Sequence, residues 1–168
     1  MVRESSIRRT LMSDNPYSAV IATPLGKVGV HCTHDAIVGV DYINSRVAGK
    51  RPDGPLAREL VGELQRYFRN PRYGFALPLV RLGTEFQRQV WRALQGIPLG
   101  ETRTYGELAQ QLDSGPRAVG NACRANPVPI VVPCHRVVAA TGIGGYSGAV
   151  KGVRLDRKRW LLCHEGAL

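Results

Sequence analysis

The sequence lacks the long apolar stretches, repeats and secretory leader that would place it among membrane, fibrous or exported proteins. None of its apolar runs approaches the roughly 20 residues that a membrane-spanning helix needs. Residues 1–10 are charged rather than apolar, unlike a signal peptide. No internal repeat or low-complexity segment is present. We therefore expect a soluble, cytoplasmic protein with no membrane partner.

Cysteine is scarce, and its spacing excludes the commonest structural uses. The chain has four cysteines, and no two of them form a C-x-x-C pair. Without a leader, this pattern argues against a disulfide framework and fits a reducing compartment. His31, Cys32 and His34 are close in sequence, but neighbours on a strand face opposite ways and a fourth ligand is missing. We expect ordinary strand residues here and no metal, with a zinc site as the weaker alternative.

Acidic residues are outnumbered along the whole chain. Lys and Arg total 23 against 13 Asp and Glu, which gives a net charge of +10. The chain carries 12 basic and 7 acidic residues up to Gly83, and 11 and 6 from Thr84 onward, so each part carries +5. The charge is therefore not confined to a tail. It suits a polyanionic partner such as nucleic acid, although basic proteins without such a partner are also common.

The first half of the chain predicts a small antiparallel sheet. Residues 1–15 are polar and aperiodic, which predicts a flexible N-terminal arm. Tyr17–Ala22 and Val28–Thr33 flank a turn rich in Pro and Gly, which predicts a hairpin. Ala36–Ile43 predicts a third strand.

A helix and an extended segment follow the predicted sheet. Leu56–Arg69 carries leucines at steps of four and predicts an amphipathic helix. The apolar segment that contains Pro78 predicts an extended linker. We therefore predict an N-terminal domain over residues 16–80 and a C-terminal domain over residues 81–168.

Helical patterns dominate the second half. Thr84 is a predicted N-cap for the first helix of this half. Tyr105–Leu112 predicts a short helix, and after the break at D-S-G a second helix begins at Pro116. The pair has the form of a helix-turn-helix. A last helix is predicted over Arg154–Leu162, with Trp160 and Leu161 facing inward.

The helix that begins at Pro116 has a small polar face with two cations. Spacings of three and four group Arg117, Gly120, Asn121 and Arg124 on this face, opposite Ala118, Val119, Ala122 and Cys123. Such a face can approach a nucleic-acid groove closely, and its arginines can contact phosphate. A merely solvated helix face is the alternative.

The strongest chemical indication is the Cys134-His135 pair. Three prolines fence the apolar run Ile130–Val132, which predicts a buried extended segment. A thiolate is the reactive form of cysteine, and a nearby imidazole or cation promotes it. Because neighbours on a strand face opposite ways, the two side chains can cooperate only if the chain turns, so we predict a turn at Cys134. An inert buried thiol beside a core histidine is the alternative.

Four motifs together are similar to those of one family. The motifs are N-P-V-P-I-V-V-P-C-H-R-V-V, G-Y-S-G, W-L-L-C-H-E-G and G-T-E-F-Q-R-Q-V-W-R-A-L. Through them the chain resembles the O6-alkylguanine-DNA alkyltransferases from Gly83 to Gly166. The resemblance implies an α+β fold. An N-terminal ribonuclease-H-like domain without nuclease activity precedes a mostly helical C-terminal domain with a helix-turn-helix. The segment between Tyr105 and Arg117 is slightly shorter than the commoner family pattern.

The resemblance also implies roles for individual residues. Those implied in catalysis are Cys134, His135, Glu165 and Tyr105. Those implied in DNA binding are Thr104, Arg117, Ala118, Gly120, Asn121 and Arg124, with Arg117 replacing a flipped-out nucleotide. Those implied to line the substrate pocket or brace the turn at Cys134 are Asn126, Val137, Tyr146 and Ser147.

The expected reaction is a single transfer of an alkyl group from O6-alkylguanine in double-stranded DNA to Cys134. Glu165 would orient His135, which would take the thiol proton, and Tyr105 would protonate the departing base. An alkyl-cysteine has no carbonyl for water to attack, so we expect one turnover and no cofactor. We expect a monomer, with cooperative binding along DNA left open.

Two other functions are compatible with parts of the sequence. A cysteine hydrolase could use Cys134, His135 and Glu165, but we find no oxyanion motif. A helix-turn-helix protein that binds alkylated DNA without catalysis would not need Cys134.

Overall fold

The computed structural model describes residues 16–79 and 82–168, so the predicted arm over residues 1–15 lies outside the described residues. The chain divides into two compact units, with the boundary between residues 80 and 81. Both units contain helices and strands, so the protein is α+β, and its described residues form one three-stranded antiparallel sheet, a two-stranded parallel pair and five α-helices. No helix in the described ranges is both long and apolar enough to cross a bilayer.

The first unit is built on the antiparallel sheet that the sequence predicts. Strand β1 is Ala19–Thr23, β2 is Gly26–Cys32 and β3 is Ile37–Tyr42, in the order β1-β2-β3. The hairpin closes between Thr23 and Gly26, where Gly26 adopts a φ of 98° and the Thr23 hydroxyl donates to the Gly26 carbonyl at 2.7 Å. Both predictions, the hairpin and the third strand, are confirmed.

One helix covers this sheet. Helix α1 is Pro55–Arg69, with Pro in its first turn, as the leucine spacing predicts. Its buried side chains include Leu60, Leu64 and Tyr67, which are at most 1% exposed. The segment with Pro78 is extended where it meets the sheet, since the Pro78 carbonyl accepts a hydrogen bond from the Ile37 amide at 2.9 Å.

The second unit begins with a capped helix. Helix α2 is Glu85–Gln95, and Thr84 caps it as predicted, with a reciprocal bond from its amide to the Gln87 side chain. Val90 and Leu94 are fully buried on this helix.

Two short helices and two short strands follow. Strand β4 is Arg103–Thr104, helix α3 is Tyr105–Gln111 and helix α4 is Pro116–Arg124, with Pro116 in the first turn as predicted. Strand β5 is Val137–Val138 and pairs in parallel with β4. A cysteine-containing turn of 3-10 helix, Cys134–Arg136, lies directly before β5.

The last helix is longer than predicted. Helix α5 is Val153–His164 and buries Leu161, as expected, but Trp160 is only half-buried. The inward positions are instead Leu155, Lys158, Leu161 and Leu162. Trp160 therefore faces inward only in part, whereas a lysine that was not predicted to be buried lies on the inward face, three residues from both Leu155 and Leu161.

The core of the second unit provides a test of stability. Leu94 is 0% exposed, so Leu94→Ala should lower the free energy of unfolding by about 2–5 kcal/mol through lost burial and an incompletely filled cavity. Denaturant unfolding measures the change. Arg92→Ala on the same helix is the control, since this side chain is 68% exposed and surface ion pairs contribute little. Equal losses in the two variants would contradict the assigned core.

Candidate active site

The chain turns sharply at Cys134. Residues Cys134–Arg136 form one turn of 3-10 helix, and the predicted turn is thereby confirmed. The run before it is buried but not extended, because Ile130 adopts a φ of 76° and the Val132 amide donates back to the Val128 carbonyl at 2.9 Å. The expectation of a buried segment was right and that of an extended one was wrong.

Asn126 braces this reversal. Its side-chain amide donates to the Val132 carbonyl at 2.8 Å, while its side-chain oxygen accepts from the Val128 amide at 3.1 Å. A hydrogen bond from the same side chain acts to lower the pKa of the Cys134 thiol. A single side chain thus closes the loop and contacts the thiol that the loop presents.

His135, Arg136 and Glu165 form one buried network. His135 is 0% exposed and its Nε2 lies 3.0 Å from Oε1 of Glu165. Arg136 donates to both carboxylate oxygens, from Nε at 2.7 Å and from Nη2 at 3.0 Å, and its Nη1 donates to the Ile97 carbonyl at 2.6 Å. Glu165, the first residue after α5, is 6% exposed. The last helix is therefore joined to the turn at Cys134.

The network fixes the tautomer of His135. A carboxylate only accepts hydrogen bonds, so Nε2 carries the proton that is donated to Glu165. The other ring nitrogen, Nδ1, is buried and has no protein partner among the described residues. In the neutral ring Nδ1 is an acceptor. Burial lowers the pKa of His135, while the hydrogen bond and the charge of Glu165 oppose that shift. The imidazole is a base that its surroundings keep neutral at rest.

Cys134 is held in its neutral form by burial. It is 5% exposed, and burial raises the pKa of its thiol. Hydrogen bonds from the Asn126 and Tyr146 side chains and the charge of Lys158 act in the opposite direction. The site therefore combines a desolvated sulfur with several groups that favour the thiolate.

Sequence reasoning missed Lys158. This side chain is 0% exposed, and its ammonium group donates to the Val137 carbonyl at 2.6 Å and to the Gly145 carbonyl at 2.8 Å. Its Nζ also lies 5.8 Å from the centre of the Tyr105 ring. The helical spacing from Leu155 to Leu161 places it inward, which was the sequence signal available.

Tyr105 lies at the start of α3 with its hydroxyl inside the site. The hydroxyl donates to the Gly145 carbonyl at 3.3 Å. Burial, with smaller contributions from Cys123 and Cys134, raises the pKa of Tyr105 to about 12. The phenol therefore keeps its proton at neutral pH and can act as a donor.

A pocket of about 210 Å³ opens onto Cys134. Its walls include Tyr105, Cys123, Cys134, Tyr146 and Ser147. The glycine-rich loop over residues 141–148 forms one wall, called the glycine-rich wall, through its last four residues. Of the residues predicted to line the pocket, Tyr146 and Ser147 do so. Asn126 and Val137 are not among the lining residues. Asn126 instead braces the loop before Cys134, and the Val137 carbonyl accepts a hydrogen bond from Lys158.

One face of α4 lies beside this pocket. Arg117, Asn121 and Arg124 are exposed, and Gly120 and Arg124 line the pocket itself. Ala118 is half-buried. Thr104 is the N-cap of α3, because its hydroxyl accepts a hydrogen bond from the Glu107 amide at 3.1 Å. Its side chain is therefore already used within the protein.

The three residues weighed as a zinc site are not arranged as one. His31 Nε2 bonds to Asp41 at 2.8 Å and its Nδ1 contacts the Pro16 carbonyl at 3.2 Å. Within residues 16–79 and 82–168, no three His, Cys, Asp or Glu side chains are grouped so as to hold a metal ion.

Known proteins share both the sequence and the fold. The family model described as 6-O-methylguanine DNA methyltransferase, DNA binding domain, matches residues 85–167. The methylated-DNA--protein-cysteine methyltransferase of Methanosarcina acetivorans is 37% identical over 159 residues, which cover 90% of this chain and 99% of that protein. The protein of the same name from Mycobacterium leprae is 43% identical over 152 residues, 89% of this chain and 87% of that one.

Solved structures agree with this assignment. The O6-methylguanine methyltransferase of Mycobacterium tuberculosis superposes with a TM-score of 0.72 at 37% identity, covering 88% of this chain and 91% of that one. Mycobacterium tuberculosis OGT in complex with DNA gives a TM-score of 0.75 at 35% identity over the same shares. Since this identity extends over nearly the full length of the relatives, the chain belongs to the methylated-DNA--protein-cysteine methyltransferase family.

Proposed function

We propose that this protein repairs DNA directly, by moving an alkyl group from the O6 atom of guanine to the sulfur of Cys134. The observation that carries the proposal is the buried cysteine at the base of a pocket, followed in the chain by a histidine that is paired with a buried glutamate. The chain is similar to proteins named methylated-DNA--protein-cysteine methyltransferase over most of their length. This similarity supports the proposal.

His135 is the general base in this proposal. Nε2–H is donated to Glu165, so Nδ1 is the atom with a free lone pair. Nδ1 takes the proton of Cys134 through a water molecule. Glu165 then stabilises the imidazolium that forms, in the way that a carboxylate supports a catalytic histidine.

The transfer itself is an in-line displacement at the alkyl carbon. An electron pair of the Cys134 thiolate forms the carbon–sulfur bond as the bond from that carbon to O6 breaks, and the bonding electrons stay with guanine. Guanine then takes a proton from Tyr105, whose raised pKa keeps it protonated. The proton held by His135 returns to Tyr105 through solvent. The alkyl group ends on sulfur and one proton on guanine.

No later step regenerates the thiol. The product is a thioether, which has no carbonyl for water to attack. Each molecule of the protein therefore acts once. The proposed reaction uses side chains of this chain and water, and needs no organic cofactor or metal.

Helix α4 is the proposed DNA-binding element. With α3 and the turn between them, it would act as a helix-turn-helix that lies in a DNA groove, with Arg117 filling the position of the flipped-out nucleotide. Base flipping is required, because a thiol at the base of a pocket cannot reach O6 inside the base stack. The exposed Arg117, Asn121 and Arg124 and the +10 charge of the chain support this role. Ala118, Gly120 and Thr104 complete the proposed contact surface.

We assign residues 16–80 to a ribonuclease-H-like domain without nuclease activity and residues 81–168 to the DNA-binding and reacting domain. The protein acts on double-stranded DNA as a monomer.

The reacting residue is identified by mass. On incubation with a duplex that carries one O6-methylguanine, the intact mass should rise by one methyl group per protein and no further, because the thioether is stable. Cys134→Ser should gain none. Cys163→Ser is the matched control, since Cys163 is exposed and outside the pocket, and it should gain the methyl group. Repeated turnover, or methylation that survives in Cys134→Ser, would falsify the mechanism. Binding without any mass gain would favour a non-catalytic sensor.

The charge of Glu165 should matter more than its shape. Glu165→Gln removes the carboxylate that supports the imidazolium, so the single-turnover transfer rate at neutral pH should fall about hundredfold, the usual contribution of a positioned base. Quenched-flow transfer from a methylated duplex measures the rate.

Glu85→Gln controls for the loss of one acidic charge, since Glu85 is exposed and pairs with Arg88 and Arg92 of α2. An unchanged rate in a folded Glu165→Gln protein would remove Glu165 from the mechanism.

Arg117 should matter only when the base is within a duplex. Arg117→Ala should lower the transfer rate from duplex about tenfold or more, because unstacking the base costs a few kcal/mol that the inserted side chain offsets. Transfer from free O6-alkylguanine should stay as in the unaltered protein. Arg92→Ala, an exposed arginine on α2, is the control. Equal losses on duplex and free base would contradict the flipping role.

A further inference from the structure

Two large apolar side chains are exposed beside the pocket that opens onto Cys134. Val150 is 78% exposed and is one of the residues that line this pocket, and Val153 is 62% exposed. Among the residues that the structure describes, the other large apolar side chain of comparable exposure is Leu168. Single exposed apolar residues are common, but two on one short segment at the entrance of a pocket indicate a surface that contacts a partner.

A tight turn leads the chain into this segment. The amide and carbonyl groups of Tyr146 and Ala149 bond to each other at 2.8 and 2.9 Å. Between them, Ser147 and Gly148 have φ values of 49° and 79°, as in the two-residue turns of β-hairpins. Val150 directly follows this turn, so the hydrogen bonds that fix the turn also fix where its side chain begins.

Residues 149–154, here called the rim loop, are held at both ends. Their first residue belongs to the turn, and α5 begins at Val153. Nη1 of Arg154 donates to the Ser147 carbonyl at 2.7 Å, so the two ends are also joined to each other. The exposed valines are therefore presented by a segment whose backbone is fixed by hydrogen bonds.

The rim loop is basic as well as apolar. It contains Lys151 and Arg154, which are both exposed, and no acidic residue. The next acidic residue along the chain is Asp156, in the first turn of α5. Arg154 has five N–H donors, and the Ser147 carbonyl uses one of them. Apolar side chains flanked by cations are complementary to a nucleic-acid strand, which has anionic phosphates beside its sugars.

The rim loop continues the surface that α4 presents. A Cβ on Gly148 would lie 2.7 Å from Nε of Arg124, so the chain just before the loop packs directly against this arginine. Gly120 and Arg124 line the same pocket as Val150. The exposed cations of α4 and of the rim loop therefore border one opening.

A base held in the pocket would bring its own strand to the rim loop. A flipped nucleotide stays bonded to the phosphates on either side, so its backbone has to pass over the mouth of the pocket. Val150 lines this pocket, and Lys151 follows it directly. The backbone of the strand that carries the lesion is therefore the part of DNA nearest to the rim loop.

We infer that the rim loop is a second DNA-contacting element, which binds the backbone of the strand that carries the alkylated guanine. Val150 and Val153 pack against the sugars beside the flipped nucleotide. Lys151 and Arg154 bind the neighbouring phosphates. This inference rests on the proposed function, which supplies the flipped base. The rim loop contacts the lesion strand itself, whereas Arg117 replaces the base within the duplex.

Transfer from three forms of the substrate separates the rim loop from α4. Val150→Ser combined with Val153→Ser should lower the single-turnover rate below saturation about tenfold, because the burial of two valines is lost. The loss should be the same on a methylated duplex and on a methylated single strand. Transfer from free O6-methylguanine should be nearly unchanged, since a free base has no backbone. Arg117→Ala should instead affect the duplex alone.

Two further variants control for the pocket and for apolar surface in general. Val153→Ser alone should show part of the loss on both strands, and Val153 lies outside the residues that line the pocket. Leu168→Ser removes an equally exposed apolar side chain at the end of the chain and should leave every rate unchanged. Thermal unfolding establishes that each variant is folded, which is expected at exposed positions.

Salt dependence tests the phosphate contacts. Fluorescence anisotropy measures binding of a methylated duplex to Cys134→Ser protein, so that the lesion is not consumed. Adding Lys151→Ala should reduce the slope of log Kd against log salt concentration by about one. The paired valine substitutions should weaken binding with the slope unchanged. Arg92→Ala, an exposed arginine on α2, is the control and should change neither.

Three outcomes would overturn the inference. The first is a set of folded rim-loop variants that bind and react like the unaltered protein. The second is an equal loss on free base and on DNA, which would mean that the rim loop only shapes the pocket. In the third, the valine substitutions dissociate a dimer in sedimentation velocity and leave DNA binding unchanged, so the valines contact a second copy of the chain.

The proposed function can fail separately. If the unaltered protein gains no methyl group, direct repair is excluded. The salt slope of Lys151→Ala then still shows whether the rim loop binds a DNA strand.

Discussion

The buried carboxylate of Glu165 is the interaction on which the rest of the site depends. It accepts from His135 and, twice, from Arg136, so the end of α5 is joined to the turn that carries Cys134. Arg136 extends the connection to the carbonyl of Ile97, just after α2. A buried charge of this kind is costly unless it is paired and hydrogen-bonded, and here one arginine and one histidine supply three donors to it. The same bonds that satisfy the carboxylate decide which nitrogen of His135 can act as a base.

Burial sets the resting state of the site. It raises the pKa of Cys134 and lowers that of His135, so both are neutral before reaction. A permanently exposed thiolate would be open to oxidation and to other electrophiles. The protein instead keeps a neutral thiol and surrounds it with the groups that stabilise the thiolate once the proton has left. Lys158, Asn126 and Tyr146 supply these interactions. The cost of desolvation is met by hydrogen bonds that are already in place.

Two positions in the glycine-rich wall require glycine, because their φ values are positive and neighbouring atoms lie too close for a side chain. Gly144 has a φ of 68°, and a Cβ there would lie 2.9 Å from the Ala139 amide nitrogen and 3.3 Å from the Tyr105 ring. Gly148 has a φ of 79°, and a Cβ there would lie 2.7 Å from the guanidinium of Arg124. The wall can therefore pack directly against α3 and α4 only because these positions have no side chain. The pocket and the proposed DNA-binding helix are in contact through this wall.

The sequence by itself determined the local structure and the reactive residue. Periodicity and capping residues predicted the hairpin, α1, the Thr84 cap and the start of α4 at Pro116, because these depend on neighbours in the chain. Its motifs singled out Cys134, His135 and Glu165. Tertiary structure alone decided the reversal at Ile130 and the partners of the Lys158 ammonium group. The first depends on the bonds of Asn126, and the second on carbonyls more than ten residues away. Long-range hydrogen bonds of this kind leave no period in a sequence, so only the folded chain shows which groups they join.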